Sequence, residues 1–119
     1  MYAVIFIYPH PKAATFGHDH LIDVHVPLGT AMCKKHLGIE PDQILIEKSG
    51  EGAPHAAVVQ MLFKNKADRD KLPEIGTYEK VQERMRADYD NYTDTPPMMY
   101  FAELVEVDVA DSIRRYGSE

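Results

Sequence analysis

Cysteine is almost missing from this chain: Cys33 stands alone among 119 residues. An intrachain disulfide framework is thereby excluded, and a reducing compartment, the cytoplasm, is the expected location. A basic run is missing too. Lysine and arginine total 13 against 19 acidic residues, for a formal charge of -6. No electrostatic footprint for a phosphate backbone results, and nucleic acid is not an expected partner. No stretch approaches the roughly 18 apolar residues of a spanning helix, so no membrane partner is expected. The opening MYAVIFIYPHP lacks a basic n-region and a small-residue cleavage site, and reads as a strand rather than a leader. Neither G-x-G-x-x-G nor a P-loop occurs, so NAD, flavin or any other nucleotide cofactor is not expected.

What is present is an ordinary globular balance, 45% apolar and 27% charged. The length suits one domain, over residues 1–107, followed by a polar tail over 108–119 that is expected to fray. Tyr2 to Tyr8 is β-branched and aromatic on both faces, the mark of a covered strand. A helical period starts near His18 and runs to about His36, where Gly38 stops it. Gln43 to Lys48 and Ala56 to Phe63 are further strands, joined by the turn-rich SGEGAP. Asn65 and Asp68 form a capping pair that opens a helix, broken near Pro73. The helix restarts around Thr77, and Tyr78, Val81, Met85 and Tyr89 keep one stripe. NYTDTPP ends it, and Met98 to Val107 is the fourth strand.

The order β-α-β-β-α-β is the ferredoxin-like split motif, an α+β fold with a four-stranded antiparallel sheet and two helices on one face. The other sheet face is left apolar. A second copy of the chain is its simplest cover, which makes a homodimer packed sheet to sheet the expected assembly.

The chemistry concentrates in FGHDHLIDVHVPL, with His18, Asp19, His20, Asp23 and His25 in close succession. At about 100° per residue, His18, Leu21, Ile22, His25, Leu28 and Met32 share an apolar arc, whereas Asp19, His20, Asp23 and Pro27 face away. On that geometry the cluster in sequence is not a cluster in space. His18 and His25 lie about 10 Å apart along the axis, too far to share an ion, and no metal site is expected. His25 could be a packed imidazole satisfied by a carbonyl or a tyrosine. Pro27 argues for more. It denies a donor to the carbonyl of Asp23, so the helix should bend or loosen beside an ionisable group.

Phe16, His25, Pro27 and Leu28 form the pattern F-x(8)-H-x-P-L. Downstream follow a strand ending in Leu62 and Phe63, and then D-x-x-N-Y-T-D-x-x-P through Asp88, Asn91, Tyr92, Thr93, Asp94 and Pro97. Taken together over roughly residues 2 to 107, these resemble the EthD family of the dimeric α/β-barrel superfamily. The resemblance implies a ferredoxin-like fold that dimerises through its sheets, with His25 in a cavity between helix and sheet. Relatives in that superfamily include cofactor-free monooxygenases, lactone isomerases, polyketide cyclases and haem-handling proteins.

The functional expectation is a small-molecule enzyme acting on a ring-bearing acid, lactone or phenol by proton transfer at His25, as isomerase, cyclase, lyase or cofactor-free oxygenase. Desolvation favours the neutral imidazole that a general base needs. Tyr8, Tyr89 or Tyr92 would donate to a developing enolate or phenolate. Gln60, mid-strand among apolar neighbours, and Glu103 would either line the cavity or pair across strands. Asn91 and Asp94 read first as turn formers, although a carboxylate there could orient the imidazole. Cys33 has no assured cationic neighbour and does not read as a nucleophile. The alternative is a non-catalytic binder of a small ligand or of haem, with His25 on the iron.

Overall fold

The computed structural model describes residues 1–119. Four strands, β1 (Tyr2–Tyr8), β2 (Gln43–Lys48), β3 (Ala57–Phe63) and β4 (Met98–Glu103), form one antiparallel sheet in the order β2-β3-β1-β4. This is the α+β, ferredoxin-like arrangement expected. The first crossover is helical throughout: α1 (His18–His20), a π-helical turn (Leu21–His25) and α2 (Val26–Leu37). Gly38 ends it with φ of 68°, a left-handed cap that an L side chain resists. The second crossover comprises α3 (Lys66–Lys71), a 3-10 segment over Pro73 (Leu72–Thr77) and α4 (Glu79–Tyr89). Asn65 Oδ1 accepts the Asp68 backbone N–H at 2.8 Å, as the capping pair predicts.

Strand register decides which side chains meet the helices. Phe6 pairs with Val59 on one side and Met99 on the other, and these point toward the helical layer with Val4, Tyr8 and Met61. Ile5 pairs with Gln60 and with Tyr100, and Gln60 pairs in turn with Leu45, so these four form a row across the opposite face. Ala3, Ile5, Val58 and Leu62 make a second small apolar cluster there. At its margins Leu45, Met98 and Tyr100 stay exposed.

Two expectations need correction. The fourth strand ends at Glu103, not Val107, because β1 begins at Tyr2 and offers little beyond it; the Met1 carbonyl takes one last bond from Leu104. The tail does not fray into coil. Asp108 caps a fifth helix, α5 (Val109–Tyr116), by accepting from the Asp111 N–H at 2.9 Å. Val109, Ile113 and Tyr116 share one of its faces and are exposed. The molecule is 57 Å long with a radius of gyration of 16.7 Å, where a compact chain of this length would have about 13 to 14 Å. No helix is long and apolar enough to cross a membrane.

Candidate functional site: an imidazole backed by a carboxylate at an apolar cavity

The site begins with a local break in helix geometry. Pro27 carries no N–H, so a regular α-helix would leave the Asp23 carbonyl without its donor. The chain widens just ahead of it, and the Val26 N–H reaches back five residues to Leu21 O. In such a π turn, residues five apart fall into line. His20 and His25 are five apart. Both turn to the same acceptor: His20 Nε2 lies 2.9 Å from Asp88 Oδ1, and His25 Nδ1 lies 2.9 Å from Asp88 Oδ2. The expectation that these histidines face apart, drawn from a uniform 100° per residue, is thus overturned by the wide turn. The loosening expected beside His25 is present in this form.

Asp88 sits on the buried side of α4 and is 3% exposed. Burial opposes its ionisation, but the hydrogen bonds from His20, Asn91 and His25 outweigh that and hold its carboxyl at about 2. At His25 the balance runs the other way. Desolvation lowers its pKa more than the Asp88 hydrogen bond and charge raise it, so the imidazole is neutral at pH 7. A neutral imidazole beside a carboxylate carries its proton on Nδ1 and donates it there. Nε2 is left with a free lone pair.

His25 lines a partly enclosed cavity of about 280 Å³ between the helices and the sheet. Its walls are mostly apolar, with Phe6, Val59 and Met99 from the sheet and Met32, Leu72 and Met85 from the helices. Gly29 helps to open it: a Cβ there would come within 3.1 Å of Met85 Cε. At the histidine end lie three tyrosines. The Tyr89 and Tyr92 rings stand 5.1 and 4.8 Å from the imidazole, centre to centre. The Tyr8 and Tyr92 hydroxyls are 3.1 Å apart, one donating to the other, and burial pushes both well above the usual phenol range, so both stay protonated.

The expected site residues therefore divide. His25, Tyr8 and Tyr89 line the cavity, and Tyr92 packs behind them without reaching it. Gln60 does not line it, since it lies in the row on the opposite sheet face. Asp94 does not either. Its two oxygens accept the backbone N–H groups of Lys12 and Ala13, each at 2.8 Å, and so anchor the β1–α1 loop. That carboxylate is a turn former, and the orienting role belongs to Asp88. Asp88 was not among the expected site residues, although it falls seven residues after Val81 on the buried stripe of α4. A carboxylate on a buried stripe requires a hydrogen-bonding partner. His18, by contrast, donates from Nε2 to the Ala56 carbonyl at 2.8 Å and fastens the helix to the sheet. No group of three His, Cys, Asp or Glu side chains is placed to share a metal ion.

The fold is similar to the crystal structure of an EthD-like protein from Ralstonia eutropha JMP134, with a TM-score of 0.63 and 23% identity, covering 92% of this chain and 96% of that one. No protein-family model and no curated protein matches the sequence.

Proposed function

We propose that this chain is an EthD-type enzyme that moves a proton at His25 on a small, ring-bearing, mostly apolar substrate, without a nucleotide cofactor. The observation that carries the reading is the Asp88 carboxylate bound to His25 Nδ1 at 2.9 Å, with the rest of the imidazole at an apolar cavity. A base must be unprotonated, correctly oriented and shielded from water. Desolvation supplies the first, Asp88 the second and the cavity walls the third. In the reaction His25 Nε2 takes an acidic C–H or O–H proton, the electron pair moves onto the substrate oxygen, and Tyr8 or Tyr89 donates to that oxygen. Isomerisation, cyclisation, elimination and cofactor-free oxygenation share this first step.

The test is turnover of a panel of cyclic ketones, lactones and phenols, followed by mass spectrometry and oxygen uptake, with wild type and His25→Ala. The proposal expects at least one conversion that His25→Ala loses by about 10²- to 10⁴-fold, the usual worth of general acid–base catalysis. Conversion that survives the substitution would refute it. A histidine backed by a carboxylate is also how proteins hold metal-bound imidazoles, so the second reading, an accessory binder with His25 on haem iron, keeps a specific support. It predicts a Soret band in the purified protein.

The assembly that goes with this reading is a homodimer through the sheet faces. Leu45, Met98 and Tyr100 support it as an exposed apolar set on the face that this chain leaves without helices.

A further inference from the structure

The cavity has a second polar group, remote from His25. Gln82 lines it from α4 and is half-buried, and its amide, open to solvent, is free to bond a ligand. It lies against Gly76, where an added Cβ would come within 3.3 Å of Gln82 Nε2. Gln82, Met85 and Tyr89 occupy successive turns of one face of α4, all three at the cavity. Seven residues of α-helix span about 10 Å. The cavity thus has polar groups at both ends, His25 with Tyr8 and Tyr89 at one and Gln82 at the other, with methionine and aliphatic side chains between them.

The lining also lacks any charge. None of its 18 residues is Lys, Arg, Asp or Glu. Arg84, whose charge acts on His25, is exposed on α4 and outside the cavity. At the histidine end the nearby Asp88 carboxylate would repel an anion. A buried carboxylate or phosphate without a counter-ion carries a large desolvation cost.

We propose that the site takes a neutral, elongated ring compound with an oxygen at each end, one held by the His25 and tyrosine group and the other by the Gln82 amide, and that it rejects the carboxylate analogue. This rests on the cavity reading above and deepens it, and it requires binding only.

Three probes separate the possibilities: 2,6-dihydroxynaphthalene, with oxygens at both ends; 2-naphthol, with one; and 2-naphthoate, the same ring bearing a charge. Dissociation constants come from probe fluorescence with the whole protein at pH 7.5. The diol should bind about three- to tenfold more tightly than 2-naphthol, the worth of one neutral hydrogen bond, and 2-naphthoate at least tenfold more weakly than 2-naphthol. Gln82→Leu should bring the diol and 2-naphthol to equal affinity. Gln82→Asn, shorter but still an amide, serves as the second variant and should lose only part of the diol preference. Tight binding of 2-naphthoate, a diol preference that survives Gln82→Leu, or no binding of any probe would overturn the proposal. The two proposals fail separately. Diol binding through Gln82 in a protein without turnover sinks catalysis alone, and turnover of carboxylates at His25 sinks neutrality alone.

Discussion

Replacing Asp88 removes the acceptor on which the site is built. In Asp88→Ala, the His25 Nδ1–H loses its partner at 2.9 Å inside a region where His25 is only 5% exposed. A buried donor left without an acceptor costs about 1–3 kcal/mol. His20 and Asn91 lose their bonds as well, but both reach water and recover most of that energy. The expected loss is therefore about 2–3 kcal/mol, and near 10 °C in Tm for a domain of this size. Asp88→Asn keeps the shape and should cost about 1 kcal/mol. The readout that separates orientation from plain packing is His25 itself. Without the carboxylate charge its pKa should fall further below the ordinary histidine value, because desolvation then acts with less opposition. Thermal melts and an NMR titration of the His25 Hε1 resonance measure both. An Asp88→Ala protein as stable as wild type, or a His25 pKa unmoved or raised in Asp88→Asn, would refute the reasoning.

Three further outcomes follow from the same geometry. Folded His25 binds a proton less readily than unfolded His25, so stability should decline as pH falls below 6.5. Asp88, held at about 2 against 3.8 for a free carboxyl, adds stability above 3.8 that is lost as pH falls toward 2. Tm measured from pH 8 to 2 should fall in those two stages, and in His25→Gln the upper stage should shrink. Cys33 lines the cavity at 4% exposure and burial pushes its thiol up to about 11, so iodoacetamide at pH 8 should label the native protein far more slowly than the denatured one; equal rates would contradict the raised thiol. Tyr100→Lys, on the exposed sheet face, should halve the mass seen by sedimentation if two copies pair there, and an unchanged mass would reject that interface.

Elements with strong local signals were legible in the sequence. β2 keeps its expected bounds, Gly38 and the Asn65–Asp68 pair mark helix ends by backbone chemistry, and Val81, Met85 and Tyr89 follow the helical period. The site was half legible. His25 stands out because an imidazole on an apolar face beside a proline is unusual, but the partner that orients it comes from α4, 63 residues away. The π turn stayed hidden because a uniform period assumes regular hydrogen bonding. Gln60 was misassigned to the cavity for another reason: both faces of β3 are apolar, so alternation alone cannot tell which side the helices cover. The tail was misread because polar composition concealed Val109, Ile113 and Tyr116, spaced as one helical face behind the Asp108 cap.

Removal of a proton from a ligand in the cavity by His25 Nε2 is the step we propose. Deuterium exchange at the α-carbon of 2-tetralone, a neutral ring ketone, tests it directly: the protein and the ketone are incubated in D₂O and loss of the α-proton signal is followed by NMR. Wild type should accelerate exchange with saturation in ketone, and His25→Ala should return the rate to that of buffer. Equal exchange with the two proteins would contradict the account.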